Sequence, residues 1–187
     1  FDVVTCVNQR NFPELEQIMQ LLIETGVKRW RLFMIDPIGR AAENPELFLD
    51  HEKFVKLLDF IKENRHGEKI SAAYGCDGYL EHYETKIRDG FLFCRAGIHV
   101  GSVLSNGDIC ACPNINRGFV QGNIYQDDFM EVWNNKFEIF RDRKSFKTGI
   151  CKDCKHWNNC RSDGFHLHEP GNPDPLFCYN GLLNGKQ

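Results

Sequence analysis

The sequence predicts an α/β fold over its first half, followed by a small, cysteine-rich α+β domain. In the first half, β-type segments alternate with amphipathic helical segments, a pattern typical of βαβ units around a parallel sheet. In the second half the sequence pattern changes to short β-type segments and clustered cysteines. Eight of the nine cysteines follow residue 75. We therefore predict a first domain over residues 1–90 and a second over 91–187.

Three strands and two helices are predicted in the first domain. The strands are Asp2–Asn8, Trp30–Asp36 and Lys69–Gly75. Asp50 is a candidate helix N-cap, and Gly26 is a candidate helix end. The apolar residues that define the buried helix faces recur at helical spacing: Leu15, Ile18, Met19, Leu22, Phe54, Leu57, Leu58 and Ile61. Such a sheet would leave an edge without a neighbour, and the chain opens without Met in what reads as a strand. We therefore expect half of a partial β/α barrel, with the N-terminal barrel half missing.

The second domain contains a hairpin signal and a helix signal. Asn106-Gly107 lies between β-type residues, which is a strong predictor of a β-hairpin. Asp127 and Asp128 then open a predicted helix. Its inward-facing residues are predicted to be Phe129, Val132, Trp133, Phe137 and Phe140. The tail after Gly149 is rich in Gly, Pro and Cys, so it is expected to need a covalent or metal staple.

Composition narrows the class of protein. A net charge of −3 argues against a nucleic-acid binder that works through whole-chain electrostatics. The locally basic stretch 141–155, RDRKSFKTGICKDCK, is interpreted as a solvated face. The sequence contains no apolar run that could span a bilayer and no signal peptide, so we expect a cytoplasmic protein with no membrane partner. In a reducing compartment, clustered cysteines favour metal ligation over disulfides.

The segment CKDCKHWNNC carries the strongest metal-site signal. Cys151 and Cys154 form a C-x2-C knuckle, Cys160 follows after five residues, and Cys178 lies in the tail. Four thiolates can close a tetrahedral zinc site or ligate a [4Fe–4S] cubane. Spacing alone does not separate the two metals, because thiolate suits both.

A second group of cysteines surrounds the predicted hairpin. The turn at Gly107 would bring the strand of Cys112 back towards Cys94. Cys110 and Cys112 would share one face of a regular strand, because residues i and i+2 point the same way. The alternative is that Cys110 is a buried thiol, as cysteines often are.

Together these cysteines resemble the SPASM domain of radical S-adenosylmethionine (radical SAM) enzymes. The matching pattern here is C94-x12-G107-x4-C112, then C151-x2-C154-x5-C160, then Cys178. The resemblance implies two auxiliary [4Fe–4S] clusters. It assigns Cys151, Cys154, Cys160 and Cys178 to the second cluster, and Cys94 and Cys112 to the first. The preceding βαβαβ segment resembles the later half of the partial barrel in such enzymes.

The sequence departs from this family in two places. Gly164 stands where the family has a further cysteine, so the first cluster lacks an expected ligand. Candidates to replace it are Cys76, Cys110, His166 and His168, with Cys76 ranked first and Cys110 second. The C-x3-C-x2-C motif, which in this family carries the catalytic cluster, is absent from these 187 residues. This chain alone is therefore not expected to perform radical chemistry.

The resemblance implies the C-terminal part of an oxidoreductase that modifies a peptide or protein substrate. Its auxiliary clusters would serve electron transfer or substrate positioning, and the full-length enzyme would use S-adenosylmethionine. The alternative is a zinc-stapled, non-catalytic module that binds a protein or nucleic acid; zinc could also substitute for iron in the same site. Asn8 and Asp36 lie near predicted C-terminal strand ends, where barrel enzymes place functional residues, but either could cap a helix or turn.

Overall fold

A computed structural model describes residues 1–75 and 78–186. The chain forms two compact units. The first comprises residues 1–92 together with 177–187, and the second comprises 93–176. The tail from residue 177 is thus part of the first unit. The domain boundaries predicted from the sequence had grouped it with the second domain.

The first unit is built on a three-stranded parallel sheet. Its strands are β1 (Val3–Val7), β2 (Arg29–Met34) and β3 (Ser71–Tyr74), in the order β1-β2-β3. The register pairs Val3 with Trp30, and Arg29 with Ser71. All three predicted strands form, and their parallel pairing confirms the α/β class.

Two amphipathic helices connect these strands. They are α1 (Leu15–Glu24) and α2 (His51–Glu63). Asp50 caps α2 as predicted, because its Oδ1 accepts a hydrogen bond from the Lys53 N–H at 2.8 Å. All four predicted core residues of α2 are fully buried: Phe54, Leu57, Leu58 and Ile61. Gly26 follows α1 with φ at +79°, a left-handed conformation that glycine adopts readily. A short α3 (Glu84–Ile87) completes this part of the unit.

The second unit opens with a small antiparallel sheet. Its strands are β4 (Ser102–Val103), β5 (Asp108–Cys110) and β6 (Gly122–Asn123), with β5 in the centre. The predicted hairpin is confirmed at β4–β5. Gly107 supplies the turn with φ at +87°, and its N–H donates to the carbonyl of Leu104.

The single helix predicted after Asp128 is instead two short helices. Asp128 caps α4 (Phe129–Asn135) by accepting from the Glu131 N–H, and α5 (Glu138–Arg141) follows. The first helix ends at two asparagines, which are weak helix formers. The predicted inward-facing residues nevertheless join one core, in which aromatic rings meet edge to face. Its fully buried members include Ile109, Ala111, Phe137 and Phe140.

The remainder of the chain is short helical turns. In the second unit, α6 (Trp157–Cys160) follows the C-x2-C knuckle at Cys151 and Cys154. The last helix, α7 (Tyr179–Leu183), lies in the tail and belongs to the first unit. The 3₁₀ turns are Phe12–Glu14, Gly39–Glu43, Pro45–Leu47, Glu81–Tyr83, Arg117–Phe119, Arg143–Phe146, Gly149–Cys151 and Phe165–Leu167. Within the described residues, no helix has the length and apolar character needed to cross a bilayer.

Candidate metal centre

The cysteines of the described residues stay reduced. None of the eight forms a disulfide, so no sulfur predicted to bind a metal is held in an S–S bond. Cys151 and Cys110 are buried, and Cys94, Cys112, Cys154, Cys160 and Cys178 are half-buried. Cys76, the first-ranked replacement ligand, lies outside the described residues.

The C-x2-C knuckle is a continuous series of tight turns. Cys151 ends a 3₁₀ turn, and the N–H of Cys154 donates to its carbonyl at 3.4 Å. The N–H of Trp157 donates in turn to the carbonyl of Cys154, which starts α6. Cys160 is the last residue of that helix, where its N–H donates to the carbonyl of His156 at 2.9 Å. Local hydrogen bonds therefore fix the backbone of three predicted ligands in one segment.

A carboxylate from a later loop holds the start of the knuckle. Oδ1 of Asp174 accepts from the N–H of Ile150 at 2.6 Å, and the hydroxyl of Thr148 donates to the carbonyl of Pro173 at 2.7 Å. Gly149 lies between them with φ at +48°, and a Cβ there would come within 1.9 Å of Asp174 Oδ1. Only glycine fits this close approach of side chain and backbone.

Buried polar groups surround the Cys151 thiol. Its Sγ lies 3.5 Å from the hydroxyl of Ser162, which itself lies 3.1 Å from Nε2 of His168. Burial raises the pKa of the Cys151 thiol, and the Ser162 contact opposes that shift. Burial likewise lowers the pKa of His168. Burial thus favours the neutral form of both groups, and a metal that bound Cys151 would have to displace the thiol proton.

The three residues after Cys160 are held in a strained backbone conformation. Arg161, Ser162 and Asp163 are consecutive left-handed residues with φ of 49°, 66° and 65°. None is a glycine, and each such residue costs roughly 1–2 kcal/mol. The surrounding structure offsets this strain, because the carbonyl of Ser162 lies 2.7 Å from His168 Nε2. Strain of this kind concentrates at functional sites.

Gly164, the position of the missing cysteine, has an imidazole directly against it. A Cβ built at Gly164 would lie 2.6 Å from Nδ1 and 2.4 Å from Cε1 of His166. Of the two candidate histidines, His166 thus occupies the space that a side chain at residue 164 would need. The other, His168, is buried and engaged with Ser162.

Cys94 lies beside a buried cation that the sequence reading missed. Nη2 of Arg143 donates to the carbonyl of Cys94 at 2.7 Å, and Arg143 is only 5% exposed. The interpretation of residues 141–155 as a solvated basic face is therefore wrong at Arg143. A charge count cannot separate one buried arginine from its exposed neighbours, and the rings that cover Arg143, those of Phe93 and Phe165, are distant in sequence.

Cys110 and Cys112 do not sit side by side on a strand. Strand β5 ends at Cys110, so the two-residue periodicity does not extend to Cys112. The Cys110 thiol donates instead to the carbonyl of Cys112 at 3.3 Å, and burial raises its pKa. This is the geometry of a buried, hydrogen-bonded thiol.

Cys178 belongs to the first unit. Its Sγ accepts a hydrogen bond from the N–H of Gly181 at 3.3 Å, at the start of α7. An N–H···S hydrogen bond of this type stabilises the thiolate form that a metal requires.

Across residues 1–75 and 78–186, no three His, Cys, Asp or Glu side chains lie close enough to hold a single metal ion. In a cubane each thiolate binds a different iron atom, so the ligands lie farther apart than those of one ion. The donor chemistry of the second unit, which is several free thiols beside a buried cation, suits an anionic thiolate-bound cluster. The ligand sets themselves stay predictions.

Of the two residues predicted at strand ends, Asn8 caps a turn. Its Oδ1 accepts from the N–H of Arg10 at 2.9 Å. Asp36 accepts a hydrogen bond from the hydroxyl of Tyr179, within the first unit. Asn8 thus follows the capping alternative.

Comparison with known proteins agrees with the cysteine pattern. Residues 94–155 match the family model of SPASM, an iron–sulfur cluster-binding domain. The AdoMet-dependent heme synthase of Oleidesulfovibrio alaskensis is 24% identical over 190 residues, covering 89% of this chain and 47% of that protein. The corresponding enzyme of Methanosarcina barkeri is 24% identical over 184 residues, covering 88% and 52%. The chain thus spans about half the length of the curated relatives it matches.

Solved structures show the same fold. Streptococcus suis SuiB bound to S-adenosylmethionine matches with a TM-score of 0.56 at 17% identity, covering 92% of this chain and 42% of SuiB. SuiB bound to its precursor peptide SuiA matches with a TM-score of 0.56 at 16% identity, covering 93% and 43%. These comparisons confirm the resemblance to radical SAM enzymes with a SPASM domain.

Proposed function

Because the chain carries a SPASM iron–sulfur cluster-binding domain, we propose that it is the C-terminal portion of a radical SAM/SPASM oxidoreductase. The observation that carries this proposal is the hydrogen-bonded knuckle at Cys151–Cys160, which has no disulfide and whose first two cysteines lie within the residues that match the SPASM model, 94–155. The parallel three-stranded sheet of the first unit supports a role as the later half of a partial barrel. The N-terminal half of such a barrel, with the C-x3-C-x2-C motif, would lie elsewhere in the full-length protein.

The second auxiliary [4Fe–4S] cluster would be held by Cys151, Cys154, Cys160 and Cys178. The first would be held by Cys94 and Cys112, with Cys76 or Cys110 as a further ligand. The hydrogen-bonded geometry of Cys110 argues for a structural thiol, which leaves Cys76 ahead of it. A bound cluster supplies one-electron redox chemistry.

The residues of this chain would shape the environment of that chemistry. Asp174 and the turns of the knuckle hold the backbone that carries the predicted ligands. The aromatic core of the second unit, against which Cys94 and Cys112 pack, would exclude water from one side of a bound cluster and so influence its reduction potential. We also propose that the protein is cytoplasmic; support comes from the described cysteines, none of which forms a disulfide, as is usual in a reducing compartment.

We propose a peptide or protein as the substrate. Support comes from SuiB, a structural neighbour that has been crystallised with its precursor peptide. A second candidate, a heme precursor, is favoured by the relatives named AdoMet-dependent heme synthase, which match nearly the whole chain. Incubation of the full-length protein with S-adenosylmethionine and dithionite, with either a synthetic peptide pool or an iron porphyrin, separates the two. Mass spectrometry reads out the peptides, and the Soret band reports porphyrin binding.

The alternative function, a non-catalytic zinc module, predicts a different metal content. Iron, acid-labile sulfide and zinc analysis of the full-length protein, purified anaerobically, decides between the oxidoreductase and the zinc module. Iron with matching sulfide supports the oxidoreductase. Stoichiometric zinc without sulfide in anaerobically prepared protein would support the zinc module.

A further inference from the structure

Arg143 is a buried cation of the second unit. Its guanidinium lies 4.4 Å from the ring centroid of Phe165 and 5.1 Å from that of Phe93. Nη1 donates to the carbonyl of Asp163 and Nη2 donates to that of Cys94, each at 2.7 Å. The side chain therefore joins the segment of Cys94 to the strained segment that follows Cys160.

The charge of Arg143 is not balanced in the way the other buried arginines are. Arg65 pairs with Asp89, and Arg88 pairs with Glu84 at 3.6 Å. Arg143 is the one buried arginine of the described residues that forms no ion pair with a carboxylate. Its Nε also has no hydrogen-bond partner. Buried charges are normally paired, so this guanidinium requires an anion that the protein side chains do not supply at contact distance.

The acceptors that Arg143 does reach are backbone carbonyls close to predicted cluster ligands. Cys94, whose carbonyl accepts from Nη2, is itself a predicted ligand of the first cluster. Asp163, whose carbonyl accepts from Nη1, follows the predicted ligand Cys160 by three residues. A thiolate-bound cluster at Cys94 would therefore supply negative charge beside this guanidinium.

We infer that Arg143 is the buried counter-charge of the iron–sulfur centre at Cys94, placed to raise its reduction potential. This inference rests on the proposed function. A thiolate-bound cluster is anionic, and it becomes more negative when it accepts an electron from a reductant. A fixed cation in a water-excluded site stabilises the more negative state more strongly, so reduction becomes easier. Arg143 would act on the cluster through its charge. It contacts the backbone of a predicted ligand and not a substrate, so it is not a catalytic residue.

The test compares Arg143→Met with Arg143→Lys in the full-length protein, purified anaerobically. Arg141→Met is the matched control, because Arg141 also stacks on aromatic rings, Trp133 and Phe137, and donates to backbone carbonyls. These contacts of Arg141 involve no cysteine. A dithionite titration monitored by electron paramagnetic resonance gives the midpoint potentials of the clusters whose signals do not respond to S-adenosylmethionine, and the signal that is lost in Cys94→Ala identifies the cluster at Cys94. Thermal melting is recorded in parallel.

We expect Arg143→Met to shift this potential to more negative values. The equilibrium constant for one-electron reduction should fall tenfold or more, and a tenfold change corresponds to about 59 mV. Arg143→Lys should keep most of the wild-type potential, and Arg141→Met should lower the melting temperature without moving the potential. Loss of iron in Arg143→Met alone, with iron retained in Arg143→Lys, would support the same role.

Equal potentials in wild type and Arg143→Met would overturn the inference, as would equal shifts or equal iron loss in both Arg143 variants. A wild-type protein without iron and sulfide would overturn the proposed function itself, and this outcome is visible before any variant is made.

Discussion

The imidazole of His166 lies over Gly164, so that a Cβ at residue 164 would come within 2.6 Å of Nδ1. The backbone at Gly164 has φ at −79°, which any residue adopts. Space and not backbone conformation therefore requires glycine here. In this chain a histidine ring stands beside the point where the SPASM pattern has a cysteine.

Replacement of Gly164 by Ala should destabilise the second unit because the new methyl group collides with a packed ring. Overpacking of this kind costs about 1–3 kcal/mol in the free energy of unfolding. Denaturant unfolding of Gly164→Ala, His166→Ala and the double variant measures the effect. The double variant should lose little beyond His166→Ala alone. If the two substitutions are additive instead, the ring does not exclude a side chain at residue 164.

Replacement of Cys154 by Ala should remove one cluster and destabilise the segment around it. The thiolate would supply one of the cluster ligands, and bound metal contributes directly to folding stability. Iron and sulfide per chain and the melting temperature are the measurements. Cys6→Ala is the matched control, because Cys6 is an exposed thiol of β1 outside the second unit. Unchanged iron content in Cys154→Ala would contradict the ligand assignment.

Asp50 should make the stability of the first unit depend on pH below the ordinary carboxyl range. A hydrogen bond from the Lys53 N–H lowers the pKa of Asp50 in the folded chain. A carboxyl whose pKa is lowered by folding contributes stability above its unfolded pKa, and the contribution is lost as pH falls through the folded pKa.

Unfolding of wild type, Asp50→Ala and Asp50→Asn at pH 7 and near pH 3 tests this. At pH 7 the alanine variant should lose about 1 kcal/mol, and the asparagine variant should lose less because it also caps helices. The gap between wild type and Asp50→Ala should narrow at the lower pH. A gap that stays constant would mean that the cap does not depend on ionisation.

The regular elements could be predicted from sequence because their signals are local. The periodicity of Phe54, Leu57, Leu58 and Ile61 fixes the face of α2, and Asn106-Gly107 fixes the hairpin turn. Cys6 shows where local reading fails. A thiol among β-type residues suggests a place in the core, but Cys6 is exposed, because the alternation of β1 directs Val7 inward and Cys6 to the opposite face.

The environment of the candidate centre could not be read in the same way. Arg143 sits among charged neighbours, and its burial depends on Phe93 and Phe165, which are distant in sequence. The three consecutive residues with left-handed backbone conformation, Arg161–Asp163, include no glycine, so the sequence does not predict that conformation. Long-range packing, and not residue preference, determines both features.

The measurement that tests the account most directly is the iron and acid-labile sulfide content of the full-length protein prepared without oxygen. The account predicts both in equal amounts, roughly four of each per cluster, and a loss of one cluster when Cys154 is replaced. Stoichiometric zinc with no sulfide, or disulfides among Cys151, Cys154 and Cys160 in the anaerobic protein, would contradict it.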